Sequence, residues 1–127
     1  MKTQEESVCR TFEFDGYIIK CGKNNVQNDR LTQRAFKDDL WLHTKNYHSA
    51  HVIIETKGDT IPDKVIEIGA EICAFYSDAK QGSKVPVDYC QKKYVKKPPQ
   101  AKPGSVIYTD FKTAYVNPNP HDELKKL

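Results

Sequence analysis

One stretch of the sequence carries sustained helical periodicity, and it fixes the class of fold. In TIPDKVIEIGAEICAFYSDA (60–79), Val65, Ile68, Ile72 and Tyr76 fall on one face, with Glu67, Glu71 and Asp78 elsewhere. The spacing predicts one long amphipathic helix over about 61–78, its apolar face turned to a core. Thr60 with Asp63 three residues on resembles a capping box, and Pro62 suits a first turn. The other apolar runs are short. RTFEFDGYIIKCG (10–22) sets Asp15-Gly16 between two alternating runs, which predicts a two-residue hairpin. DLWLHT (39–44), AHVIIET (50–56), KVPVDYC (84–90), GSVIYTD (104–110) and KTAYVNP (112–118) read as strands, the last two joined by a tight turn near Asp110-Phe111. KNNVQNDRLTQRAF (23–36) opens with turn formers, and Asn28 or Asp29 is placed to cap a short helix near 29–36. One long helix among short strands implies an α+β fold: a largely antiparallel β-sheet with the long helix packed on it.

Length allows one domain over 1–127, with 8–120 as its core and 1–7 and 119–127 as flexible ends. No apolar run approaches the ~20 residues of a membrane helix, and no N-terminal stretch is organised as a signal peptide. A cytoplasmic protein is expected. Cys9, Cys21, Cys73 and Cys90 are widely and irregularly spaced without a Cys-x-x-Cys, so free thiols in or near the core are expected, not a structural zinc site.

The net charge of +3 hides an asymmetry. Residues 80–112 hold Lys80, Lys84, Lys92, Lys93, Lys96, Lys97, Lys102 and Lys112 against Asp88 and Asp110, a local excess of +6. Such a one-sided region suits a polyanion. Within it, QKKYVKKPPQAKPG (91–104) offers five lysines, one aromatic and three prolines. The prolines exclude a regular helix and favour an extended segment, whose lysines can track phosphates while Tyr94 stacks on a base. The alternative is a solvated basic loop. Asn24, Asn25, Gln27, Asn28 and Arg30 form a second polar stretch able to meet sugar or base edges, or to serve as turn and helix cap.

Candidate chemistry is concentrated in DLWLHTKNYHSAHVIIE (39–55), which holds the single tryptophan and three of four histidines. Alternate residues of a strand share a face. Pairing odd with odd across a five-residue loop at 44–48 sets Trp41 opposite His51 and His43 opposite Ser49. Asp39, Trp41, His43, Ser49 and His51 then lie on one face, and Leu40, Leu42, Ala50, Val52 and Ile54 on the core face. Three chemistries compete for the five. Two histidines and an aspartate are metal ligands by type, but this is a weak signal. A Ser49-His-Asp39 triad lacks any nucleophile elbow. A hydrogen-bond network around Trp41, shaping a recognition surface or holding strands together, is what half-buried polar groups usually form, and the residues favour it. No catalytic residue, cofactor or metal is assigned.

GKNNVQNDRLT (22–32), DLWLH (39–43), SAHVII (49–54), VPVDY (85–89), YVKKP (94–98) and KPGSVIY (102–108) occur in the order of the NFACT-R (DUF814) domain. The chain therefore resembles, over roughly 8–120, the C-terminal module of the NFACT proteins, the RqcH-type ribosome quality control factors once labelled fibronectin-binding protein A. The resemblance implies a non-catalytic RNA-binding module that contacts tRNA and/or large-subunit rRNA during rescue of stalled nascent chains. It makes Asp39, Trp41, His43, Ser49 and His51 the signature, with Asn28, Asp29 and Leu31 in the upstream motif. The expected RNA contacts are Lys92, Lys93, Tyr94, Lys96, Lys97, Lys102, Asn25, Asn28 and Arg30. The expected partners are tRNA, large-subunit rRNA and the large ribosomal subunit, with no membrane, and the isolated domain is expected to be a monomer. The alternatives are a module docking on a ribosomal protein and a metal-dependent nucleotide- or RNA-processing enzyme. One departure stands out: the bacterial loop reads Pro-Gly-Ser-His, whereas this chain has His48-Ser49-Ala50-His51, its serine one place early.

Overall fold

The computed structural model describes residues 9–127, so the expectation of a flexible 1–7 lies outside the described residues. β1 (Arg10–Phe14) and β2 (Tyr17–Cys21) form the expected hairpin. Asp15 (φ 52°) and Gly16 (φ 81°) are both left-handed, as a twist-matched two-residue turn requires. β3 (Leu40–Thr44), β4 (Val52–Ile54), β5 (Val85–Gln91), β8 (Lys112–Val116) and β9 (Lys125–Lys126) complete a seven-stranded antiparallel sheet, ordered β8-β5-β3-β4-β2-β1-β9.

α1 spans Asn25–Arg34 and α2 spans Asp63–Phe75. The α+β expectation holds, with differences at the helix ends. α1 begins four residues earlier than expected because Asn24 is its cap. The Asn24 side chain accepts from the Gln27 N–H at 2.9 Å, and Gln27 Oε1 accepts in return from the Lys23 N–H at 2.9 Å. α2 starts after Pro62, which has no side-chain cap bond, so the Thr60/Asp63 box does not form. The helix stops at Phe75 because the chain beyond it pairs with 48–50. Tyr76 O accepts from the Ala50 N–H and the Asp78 N–H reaches His48 O, so these groups leave the helical ladder.

α2 covers one face of the sheet. Val65, Ile68 and Ile72 are buried there with Leu42, Val52, Ile54, Ile19 and Phe12. The other face is covered too. α1 and the 92–108 segment close over Trp41, Ile53, Cys90 and Val95, with Leu31, Ala35, Tyr94, Val106 and Tyr108 packed around them. The face expected to lie open is thus a second, smaller core.

Two further expectations change. A 3-10 turn at Lys92–Tyr94 leads into β6 (Val95–Lys96), which pairs with β7 (Ile107–Tyr108) in a separate ribbon. β7 and β8 are therefore not a hairpin, although the chain does turn at Asp110 (φ 53°). The reason is a contact distant in sequence: Tyr108 packs against Trp41 and donates its hydroxyl to Asp88 of β5 at 2.6 Å. The 119–127 end is docked, not loose. Lys125 and Lys126 pair with Glu13 and Phe12, and the Leu127 N–H donates to Thr11 O. Buried His121 bridges Glu71 at 2.5 Å and Glu123 at 2.9 Å.

Candidate nucleic-acid interface

The β3–β4 register pairs Trp41 with Ile53, Leu40 with Ile54 and Leu42 with Val52. The expected pairing is displaced by two residues. A two-residue shift preserves side-chain parity, so Trp41 stays on the intended face. Trp41 and His51 become diagonal neighbours, in direct contact.

Trp41 is fully buried and its indole Nε1–H donates to His51 Nδ1 at 3.2 Å, the rings nearly perpendicular at 5.4 Å. The Thr32 hydroxyl lies 2.7 Å from the same nitrogen. His51 Nε2 lies 3.0 Å from Gly104 O, a pure acceptor. These partners fix the neutral tautomer with the proton on Nε2. Burial, with His43 and His48 adding to it, drops the His51 pKa to about 4. His43 stacks on Trp41 at 5.7 Å and donates Nδ1–H to Thr44 O, and burial lowers its pKa too. Asn28 Oδ1 accepts the His51 backbone N–H at 3.1 Å. This brings α1 so close that a Cβ on Gly22 would collide with the Asn28 amide.

Two of the five signature residues lie apart from this cluster. Asp39 is buried, but its oxygens accept backbone N–H groups of Phe36 (2.9 Å) and Thr56 (3.0 Å), holding the loops around β3. Ser49 turns to the α2 side, because regular strand begins only at Val52 and the alternation does not extend back to 49. Its hydroxyl accepts from the Thr44 N–H at 3.2 Å, donates to Ala50 O at 3.0 Å and lies 3.6 Å from Cys73 Sγ. The early serine thus ties a loop to β3. Among the described residues, no group of three or more His, Cys, Asp or Glu is placed to hold a metal ion. Cys9, Cys21, Cys73 and Cys90 are free, and burial raises the thiol pKa of the last three.

The lysine segment forms a groove of about 420 Å³ against α1. Lys92, Lys93, Lys96 and Lys97 line it together with Thr32, Gln33, Val95 and Val106. Asp29 sits inside. Its Oδ1 accepts from Lys97 Nζ at 2.8 Å, and the Gly104 N–H approaches at 3.4 Å. Lys93 lies 3.8 Å from Asp38. The remaining expected contacts fall elsewhere. Tyr94 is half-buried against the second core and lines a different groove. Asn28 is buried in the strand–helix joint and serves as the backbone acceptor. Exposed Asn25 abuts the Gly104 turn, exposed Lys102 sits on that turn, and Arg30 lines a 230 Å³ pocket on the other flank of α1 with Lys20 and Arg34.

Residues 7–110 match the family described as NFACT protein RNA binding domain. The chain belongs to this NFACT-R family. It is 45% identical over 121 residues to a protein named Rqc2 homolog RqcH from Bacillus subtilis (strain 168), covering 93% of this chain and 21% of that protein. It is 40% identical over 111 residues to the Rqc2 homolog RqcH of Streptococcus suis (strain 05ZYH33), covering 87% and 20%. It is also similar to the solved structure of the C-terminal part of the fibronectin/fibrinogen-binding protein from S. suis, with TM-score 0.85 and 39% identity over 92% of this chain and 48% of that one. The NFACT-R chain thus spans about a fifth of the length of these curated relatives. The family match takes in α1, the Trp41/His51 joint and the lysine groove, and ends before β8.

Sequence reasoning missed Asp88, Tyr108 and the groove role of Asp29. Asp88 is buried and gathers Tyr108 (2.6 Å), Thr113 (2.7 Å) and Lys45 (3.2 Å). The signal was an acid within the apolar alternation of VPVDYC, where a buried charge needs partners.

Proposed function

We propose that this chain is the RNA-contacting module of an NFACT-type ribosome quality control factor, binding tRNA and/or large-subunit rRNA in the cytoplasm during rescue of stalled nascent chains, with no catalytic step of its own. The observation that carries this reading is the groove of Lys92, Lys93, Lys96 and Lys97. Four ammonium groups over about six residues of chain offer repeated, sequence-independent attraction to phosphates. The β6–β7 ribbon and α1 hold them in place, which lowers the ordering cost of binding. The Trp41/His51 cluster supports the reading from beneath: it is buried, so it acts by fixing α1 and the Gly104 turn, which together frame the groove. Crosslinking of the chain to stalled large subunits, followed by sequencing of the bound RNA, tests the proposal. Crosslinks from the lysine groove to tRNA or large-subunit rRNA are expected. Capture that survives RNase digestion would point instead to a ribosomal protein as the partner.

A further inference from the structure

The lysine groove continues along the molecule into a strip of exposed apolar and aromatic side chains. Lys96 of the groove pairs with Ile107 across the β6–β7 ribbon, and Ile107 is 61% exposed. Beyond the next residue, Tyr108, the ring of Phe111 lies 5.2 Å from the Tyr108 ring. Lys45 Nζ lies 4.6 Å from the Phe111 ring, and the Lys45 N–H donates to Pro86 O. Pro86 pairs with Tyr115 of β8, which is 68% exposed. The register carries one face from Trp41 and His43 through Cys90, Asp88 and Pro86 to Thr113 and Tyr115. Tyr115 therefore stands on the sheet face opposite α2, the same face on which the 92–108 segment covers Trp41.

We propose that Phe111 and Tyr115 form a stacking platform for unpaired RNA bases, following on from the phosphate contacts of the lysine groove. The inference rests on the RNA-binding reading and adds what that reading leaves open: single-stranded nucleic acid as the class of ligand, and the place where its bases lie. Charge complementarity selects this occupant. The strip begins at Lys96 and passes Lys45. Of the two carboxylates beside it, Asp88 is buried and engaged by Tyr108, Thr113 and Lys45. Asp110, next to Phe111, is exposed and lines a groove with Cys90 and Lys112. A backbone held by the lysines can set its bases on the two rings, and every base has a π-face to offer. A duplex keeps its bases stacked inside and gains only the phosphate contacts.

The test is fluorescence anisotropy of the full 127-residue chain with labelled single-stranded oligoadenylate of about 12 nucleotides, and with an RNA duplex of similar length. Tyr115→Ala and Phe111→Ala are each expected to weaken single-strand binding by about 5- to 100-fold. Duplex binding and the salt slope should stay unchanged, because no cation is removed. Tyr115→Trp should keep or tighten single-strand affinity. Both side chains are well exposed, so folding is checked simply by an unchanged circular dichroism melt. Unaltered single-strand affinity in both alanine variants, while removal of Lys92 and Lys96 weakens it, would overturn the platform and leave the RNA-binding reading standing. Equal losses on single strand and duplex would also overturn it. If the wild-type chain binds neither RNA, the underlying reading fails and the platform with it. RNase-resistant capture on large subunits that Tyr115→Ala abolishes would assign the strip to a protein partner and overturn the proposal.

Discussion

The indole N–H of Trp41 donates to Nδ1 of His51 across 3.2 Å, between two rings set almost at right angles. With Nε2 against Gly104 O, His51 is held neutral. A proton on Nδ1 would face the Trp41 N–H and would force the Thr32 hydroxyl to turn from donor to acceptor.

Acid should therefore destabilise the domain through His51. Its pKa falls from 6.5 to about 4 on folding, so between those values the unfolded chain binds a proton that the folded chain refuses. The stability it contributes is whole above pH 6.5 and is lost as pH falls towards 4. A fall from 6.5 to about 4 corresponds to about 3 kcal/mol. Urea denaturation at a series of pH values checks this. A His51→Gln variant should show a flatter profile over that window, and an equally steep profile would contradict the assignment.

Trp41→Phe removes the donor and part of the ring but leaves the Thr32 hydroxyl on Nδ1. A loss of about 1–2 kcal/mol is expected by denaturant unfolding followed by circular dichroism. Trp41→Ala should cost about 3–5 kcal/mol, since it opens a large cavity in the second core.

Gly22→Ala tests the joint from the other side. The added methyl meets Asn28 Oδ1, the acceptor for the His51 backbone N–H, so α1 must move or the bond must break. About 2–3 kcal/mol of destabilisation is expected. A neutral outcome would show that the joint yields at no cost.

Asp29→Asn keeps the shape of the side chain and removes the charge that engages Lys97. The freed ammonium becomes available for one more phosphate, so the log–log salt slope of RNA binding should steepen by about 0.7–0.9. An unchanged slope would mean that Lys97 never reaches the RNA.

Much of the fold was legible because it rested on local rules. Asp15-Gly16 demanded a hairpin, the 3.6-residue periodicity of Val65, Ile68 and Ile72 demanded a helix face, and strand parity sorted Trp41 from Leu42. What escaped depended on contacts distant in sequence. Whether Trp41 faces water or a second core is decided by Tyr108 and Leu31, which nothing near position 41 announces. The register of β3 on β4 could slip by two residues without changing any face, so hydrophobic pattern alone did not fix it. Ser49 was misplaced because strand alternation was extended through residues that bend to meet Ser77. Among the candidate contacts, the charge excess at 80–112 located the groove. Asn28, in contrast, looked like a ligand-binding residue because the same amide chemistry serves a buried joint.

The salt dependence of RNA affinity, compared between the wild-type chain and the chain with Lys92, Lys93, Lys96 and Lys97 all changed to alanine, tests the central claim most directly. If Lys92, Lys93 and Lys96 engage about three phosphates while Asp29 holds Lys97, the wild-type log–log slope should be about −2 to −3, and the four-alanine variant should approach a flat line with its fold intact. A variant that keeps the wild-type slope would contradict the assignment of RNA binding to this groove.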